Sequence, residues 1–151
     1  MIEKVFRREQ SYYDGVSTLP NPVVCIRPTA IGLNAAATSR FARGKIRAVL
    51  IPLKDIPAIG VTFFNAKIKG SILIRKQRGY TILAEPEFFE KHSYILAHVR
   101  HLNIAHFYLH PLPEELVPED YYGSECYYAS LTEGNSLRDL QRISKKGEKN
   151  Q

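Results

Sequence analysis

The chain has 151 residues, of which 44% are hydrophobic and 24% charged, and these values suit one globular domain with its own core. No run of eighteen apolar residues is present, and the charged N-terminal segment lacks the apolar stretch of a signal peptide, so we predict neither a membrane partner nor secretion. Cys25 and Cys126 are expected to be reduced thiols in the cytoplasm, where disulfides are rare.

The charges are distributed unevenly along the chain. Residues 15–84 contain eleven Lys and Arg residues against one acid, a net charge of +10. Residues 85–134 contain nine acids against two cations, a net charge of −7, and residues 135–151 return to +3 with five cations and two acids. Like charges at this density repel one another, so we expect an anion to offset the repulsion within the basic segment. That anion is either an external ligand or the acidic half of the protein.

Three regions are expected in chain order. Residues 1–21 predict an N-terminal arm, because charges are mixed with tyrosines and the segment ends in LPNP, whose two prolines oppose regular structure. A single domain is expected over residues 22–135. Residues 136–151 predict a short amphipathic C-terminal helix followed by a polar tail.

The first half of the domain predicts four strands and one helix. Two short apolar runs, VVCI and IGL, flank an Arg-Pro-Thr-Ala turn, and Asn34 then provides a helix N-cap ahead of three alanines, with Gly44 as the terminator. The stretches KIRAVLIPL and AIGVTFF are rich in β-branched and aromatic residues and predict two strands. In the first of them, alternation predicts that Ile46, Ala48 and Leu50 face inward.

The second half begins with ILIRKQRGYTIL, which predicts a hairpin with a basic tip. A helix is expected from Glu85, with Pro86 at its first position and an apolar stripe through Phe88, Ile95 and Leu102. The stretches IAHFYLHP and CYYASL predict strands separated by an acidic, proline-rich loop. The expected fold class is α+β, with a mostly antiparallel sheet of about six or seven strands packed against two or three helices.

A faint internal repeat is also visible. Residues 25–41 align with residues 73–89 without gaps at an offset of 48, with four identities in seventeen positions. Both segments predict strand, turn, strand and helix, so a β-β-α-β pseudo-repeat is a hypothesis for this fold.

The basic segment is the strongest indication of function. Lys and Arg side chains neutralise phosphates and release counterions, which gives sequence-independent affinity for nucleic acid. An aromatic residue beside them can stack on an unpaired base. The candidate nucleic-acid-binding residues are Arg27, Arg40, Arg43, Arg47, Lys67, Lys69, Arg75, Lys76, Arg78 and Tyr80. The alternative is that these cations form a solvated face.

Catalysis and metal binding have weaker support. All five histidines lie between positions 92 and 110, with His98 and His101 spaced for one helix face, but no cysteine lies nearby. The segment around Cys126 lacks the flanking glycines of a nucleophile elbow, and the glycines are too scattered for a phosphate loop. We therefore predict no cofactor, no metal and no catalytic residue, with a small metal-dependent enzyme as the weakest alternative.

The preferred hypothesis is that this is a non-catalytic protein that binds DNA or RNA, including single strands, through residues 27–78. The alternative from another class is an interaction or assembly module, a homo-oligomer in which the basic and acidic halves of different copies meet. The acidic half is a poor surface for nucleic acid, because its carboxylates repel phosphate, and its paired tyrosines suit a protein contact instead.

Overall fold

The computed structural model describes residues 19–77, 80–102 and 105–132, and it shows an α+β fold with two antiparallel five-stranded sheets. The strands are β1 (Val23–Ile26), β2 (Ala30–Leu33), β3 (Arg47–Leu53), β4 (Ala58–Phe64), β5 (Ile72–Leu73), β6 (Arg75–Gln77), β7 (Tyr80–Ala84), β8 (His106–Tyr108), β9 (His110–Pro111) and β10 (Cys126–Ser130). The helices are α1 (Ala35–Phe41), α2 (Pro86–Lys91) and α3 (Tyr94–Leu102), and 3-10 turns cover Glu114–Leu116 and Glu119–Tyr121. The predicted α+β class is confirmed.

Two chain segments pass from one sheet to the other and form the corners of the fold. Sheet A has the strand order β6-β7-β2-β1-β8, and sheet B has the order β5-β3-β4-β10-β9. Only Ile74 separates β5 from β6, and only Leu109 separates β8 from β9. At these bends the Ile74 N–H donates to Ile46 O at 2.9 Å and the Leu109 N–H donates to Pro22 O at 3.1 Å. Strand pairing among the described residues therefore continues around the molecule in a barrel-like arrangement.

Both sheets contribute to one core. Alternate residues of each long strand point inward, as the period of two requires, and α1, α2 and α3 pack on the same cluster. The largest fully buried members include Phe107, Ile26, Ile31, Leu33 and Leu83. Two smaller clusters lie outside it, and the one around Val49 and Ile51 is covered by the acidic loop, which we define as residues 112–125.

Helix α1 begins where the sequence predicted. The Asn34 side chain accepts the Ala37 N–H at 3.0 Å, so it is the N-cap, and Gly44 has a positive φ of 73° two residues beyond the C-cap Ala42. Pro86 occupies the first turn of α2, also as predicted. No helix in the described parts of the chain is long and apolar enough to cross a bilayer.

The structure differs from the sequence-based expectation in three respects. The strands divide into two sheets, where one sheet of six or seven strands was expected. The helix expected from Glu85 to Leu102 is interrupted at His92 and Ser93 and becomes α2 and α3. The gapless offset of 48 is not supported, because it matches Ala36 in α1 with Ala84 in β7. The predicted arm lies outside the described residues up to position 18, and so do residues 133–151, which include the expected C-terminal helix.

Candidate anion-binding surface

The outward side of the β5–β6 corner carries one apolar and one basic residue. Ile72 and Ile74 pack against the core, so the alternate positions Leu73 and Arg75 point away from it. Leu73 is 61% exposed and lies opposite Arg47 of β3, while Arg75 is exposed and lies opposite Ile82 of β7. Arg47 of sheet B and Arg75 of sheet A therefore lie on either side of this corner.

Arg47 connects this corner with the loop between β4 and β5. It is the first residue of β3, and its Nε donates to Ser71 Oγ at 3.2 Å. The same hydroxyl contacts the backbone of Ile68, whose N–H donates to Ser71 Oγ at 3.3 Å. These contacts hold the loop beside Arg47, and the exposed residues Lys67 and Lys69 flank Ile68 within it.

Lys76 connects the corner with the end of α1. Its Nζ donates to Ala42 O at 3.1 Å, a carbonyl at the C-terminal end of the helix, where a cation is electrostatically favourable. The exposed Arg43 follows directly in the chain. Arg43 lies beyond the last helical residue, Phe41, so it is not on the helix that carries Arg40.

These contacts define what we call the corner surface. It consists of the cations Arg43, Arg47, Lys67, Lys69, Arg75 and Lys76, of which Lys76 starts from the other face of β6 to Arg75, opposite the buried Thr81. Within the described residues, no ion pair joins any of the six to a carboxylate. Like charges that are not neutralised by neighbours produce a positive potential that attracts anions from solution.

Two of the predicted residues lie elsewhere. Arg27 follows β1, which is three strands from β6 in sheet A, or about 14 Å across a flat sheet. Arg27 instead lies close enough to His106 of β8 to depress the pKa of that ring. Arg40 is exposed and its guanidinium donates to Pro20 O at 3.1 Å, so it is held against the segment before β1.

The remaining predicted residues are Arg78 and Tyr80. Arg78 lies outside the described residues. Tyr80 is half-buried opposite Gln77 at the start of β7, on the strand that pairs with β6. Phe63 is only 6% exposed and lies in the core beside Tyr127, so it is not accessible to a base in solution.

The acidic loop packs on the outer face of sheet B. Leu112, Val117 and Tyr121 cover the apolar side chains of β3 and β10, and burial raises the pKa of Tyr121. Five acidic side chains of the loop are exposed: Glu114, Glu115, Glu119, Asp120 and Glu125.

Two buried ionisable groups, His106 and Cys126, have shifted pKa values. His106 is fully buried, and burial followed by the charge of Arg27 lowers its pKa to about 4. Burial also raises the pKa of the Cys126 thiol, the opposite of activation. No group of three or more His, Cys, Asp or Glu side chains in the described parts of the chain is arranged to hold a metal ion.

Sequence reasoning missed the apolar part of the corner surface. Ile46 was predicted to face inward but is 51% exposed, because it precedes the first residue of β3 and lies at the edge of the core. Leu73 was not distinguished from Ile72 and Ile74, because a continuous apolar run does not show which side chains face the core and which face solvent. Arg75, which ends this apolar run, was the signal in the sequence that the segment has a side exposed to solvent.

No model of a known protein family matches the chain, and searches of the curated proteins and of the solved structures likewise give no match. The geometry of the corner surface is therefore the basis for assigning a function.

Proposed function

We propose that this protein binds nucleic acid without catalysis, through the corner surface. The observation that carries the proposal is the arrangement of its six cations. Hydrogen bonds link the structural elements that carry them, and no carboxylate of the described residues pairs with them. A surface of this kind suits a flexible or helical polyanion, because phosphates supply regularly spaced charges along one molecule.

The chemistry divides among the side chains. Guanidinium groups such as Arg75 can donate two parallel hydrogen bonds to a phosphate, whereas Lys67 and Lys69 act as mobile point charges. Tyr80 lies on the strand that pairs with the strand of Arg75, opposite Gln77. Stacking of one base on Tyr80 would favour single strands by about 1–3 kcal/mol. The proposed location is the cytoplasm, because Cys25 and Cys126 lie in different sheets and suit a reducing compartment.

The direct test is fluorescence anisotropy with labelled single-stranded and duplex oligonucleotides. The triple variant Lys67→Gln, Lys69→Gln and Arg75→Gln removes three cations from the corner surface. If each contributes one phosphate contact, affinity at about 0.1 M salt should fall about 100- to 500-fold.

The matched control is the triple variant Lys54→Gln, Lys91→Gln and Arg100→Gln. These three cations are exposed, lie outside the corner surface and give the same change in net charge. The control should retain affinity within a few-fold. Equal losses in the two variants would show that net charge alone drives binding, and absence of binding by the native chain would refute the proposal.

We also infer that the fold was built by duplication of one β-β-α-β-β unit. Hairpin β1–β2 is followed by α1 and hairpin β3–β4, and the β5/β6–β7 hairpin is followed by α2, α3 and the β8/β9–β10 hairpin. In support, β2 pairs with β7 and β4 pairs with β10, and the two members of each pair occupy equivalent places in the two units. A crystal structure should superpose the two units in chain order after a half-turn. Units that superpose only with reordered strands would contradict it.

A further inference from the structure

The exposed large apolar side chains fall into two groups, one among the cations of the corner surface and one among the carboxylates of the acidic loop. Within the described residues, the corner surface exposes Ile46 (51%), Ile68 (39%) and Leu73 (61%), and the acidic loop exposes Leu116 (40%) and Tyr122 (70%). An aliphatic cluster gains little from contact with phosphates, but it suits the apolar part of a protein interface.

The apolar cluster of the corner surface is enclosed by its cations. Ile46 and Leu73 lie on neighbouring segments, because the Ile74 N–H donates to Ile46 O at 2.9 Å. Leu73 also lies opposite Arg47, and Arg47 is tied through Ser71 to the loop that carries Ile68. A partner that fits this surface needs apolar side chains among carboxylates.

The acidic loop has those properties and is already ordered. Backbone hydrogen bonds close its two 3-10 turns, with the Val117 N–H donating to Glu114 O at 3.1 Å and the Tyr121 N–H donating to Pro118 O at 2.9 Å. Burial of Leu112 against sheet B fixes the loop to the fold. Docking of this loop would therefore cost little conformational entropy.

The loop does not use these groups on its own corner surface. It packs on the outer face of sheet B, and no ion pair within the described ranges connects its carboxylates with the six cations. Both complementary surfaces are thus present on each copy of the chain, so a second copy is the occupant with matching charge and matching apolar groups.

We propose that the acidic loop of one copy docks on the corner surface of another copy. Leu116 and Tyr122 contact the exposed aliphatic side chains, and the exposed carboxylates of the loop lie among the cations. Two copies close the contact reciprocally if a two-fold axis allows it, and otherwise the contact extends into a chain. Association covers the surface proposed for nucleic acid, so the second copy and the nucleic acid compete. Only this competition rests on the proposed function, because association itself requires no ligand.

The test is sedimentation velocity on the nuclease-treated full chain from low to high micromolar concentration. At about 0.05 M salt we expect a species of at least two copies, and at about 0.5 M salt, where screening is much stronger, a shift toward monomer. The variant Leu116→Ser with Tyr122→Ser should be monomeric at both salt concentrations. Its intrinsic affinity for oligonucleotides should be equal to or higher than that of the native chain.

A charge-exchange pair identifies the contacting surfaces. Lys67→Glu with Lys69→Glu lowers the charge of the corner surface from +6 to +2, and Glu114→Lys with Glu115→Lys reduces the charge of the acidic loop from −5 to −1. Each variant alone should associate much less than the native chain, because the charge attraction between the two surfaces is reduced and the substituted positions repel their counterparts. The equimolar mixture should regain association at low salt. As a control, Glu87→Gln with Glu90→Gln, exposed on α2, should leave association unchanged.

Three results would overturn the proposal: a monomeric native chain at high concentration and low salt, association that survives Leu116→Ser with Tyr122→Ser, or a mixture of the charge-exchange variants that stays monomeric. Failure of nucleic-acid binding would appear in the anisotropy titration alone and would leave sedimentation unaffected.

Discussion

Replacement of Asn34 by alanine should destabilise the protein strongly, because this one side chain joins three parts of the chain. Asn34 is 1% exposed. Its Oδ1 accepts the N–H groups of Val23 and Ala37, each at 3.0 Å, and its Nδ2 donates to Asn21 O at 2.8 Å. The substitution therefore removes the N-cap of α1 and the side-chain partner of a buried donor at the start of β1.

The magnitude follows from these contacts. Loss of an N-cap costs about 1 kcal/mol, and a buried N–H without its partner costs about 1–3 kcal/mol. We expect Asn34→Ala to lower the free energy of unfolding by about 2–4 kcal/mol, a large part of the roughly 5–15 kcal/mol that stabilises a typical domain. For a chain of this size the midpoint of thermal unfolding should fall by about 6–12 °C.

Urea denaturation followed by far-UV circular dichroism measures the change. Asn34→Ser can still cap α1 but cannot replace the contacts with both Val23 and Asn21, so its destabilisation should be intermediate. Asn65→Ala, at an exposed loop position, should change stability by less than about 0.5 kcal/mol. If Asn34→Ala is no more destabilising than Asn65→Ala, the structural role assigned to Asn34 is wrong.

Three further predictions concern pH, packing and the hydroxyl of the half-buried Tyr94. His106 has a folded-state pKa of about 4 against an ordinary value of 6.5, so its neutral ring favours folding above pH 6.5. That contribution of about 3 kcal/mol should be lost as the pH falls toward 4, and His106→Gln should flatten this part of a stability–pH curve; an unchanged curve would contradict it. Gly60→Ala should cost about 1–3 kcal/mol in urea titrations, because a Cβ there would lie 3.1 Å from Ile51 Cβ; a neutral effect would mean that β3 can move. Tyr94→Phe should lower the free energy of unfolding by about 1–2 kcal/mol, because the Tyr94 hydroxyl accepts the Leu53 N–H at 2.9 Å and donates to Ala58 O at 2.8 Å. Thermal unfolding measures this change, and an unchanged midpoint would exclude a stabilising role for the hydroxyl.

Local features of the fold could be predicted from the sequence because their causes are local. The Asn34 cap, the alanine-rich start of α1 and the proline in the first turn of α2 all depend on residues within one helical turn. The strands β3 and β4 were equally readable, because β-branched and aromatic residues dominate both.

The division into two sheets could not be predicted, because it depends on distant pairing. Nothing local marks Ile74 or Leu109 as the residue at which a strand changes sheets; the bends follow from hydrogen bonds to Ile46 and Pro22. For the same reason, the sequence could not predict which of the cations lie together on one surface. Arg27 was predicted to share a surface with Arg75, but strand order places it toward the β8 edge and away from β6.

The salt dependence of nucleic-acid binding tests the central claim most directly. With roughly five phosphate contacts, log K against log salt should have a slope of about −3.5 for single strands and −4.5 for duplex. The triple variant Lys67→Gln, Lys69→Gln and Arg75→Gln should reduce the steepness by about 2–2.7, the share of three contacts. A flat response of the native chain, or identical slopes for the native chain and the triple variant, would contradict a phosphate-binding corner surface.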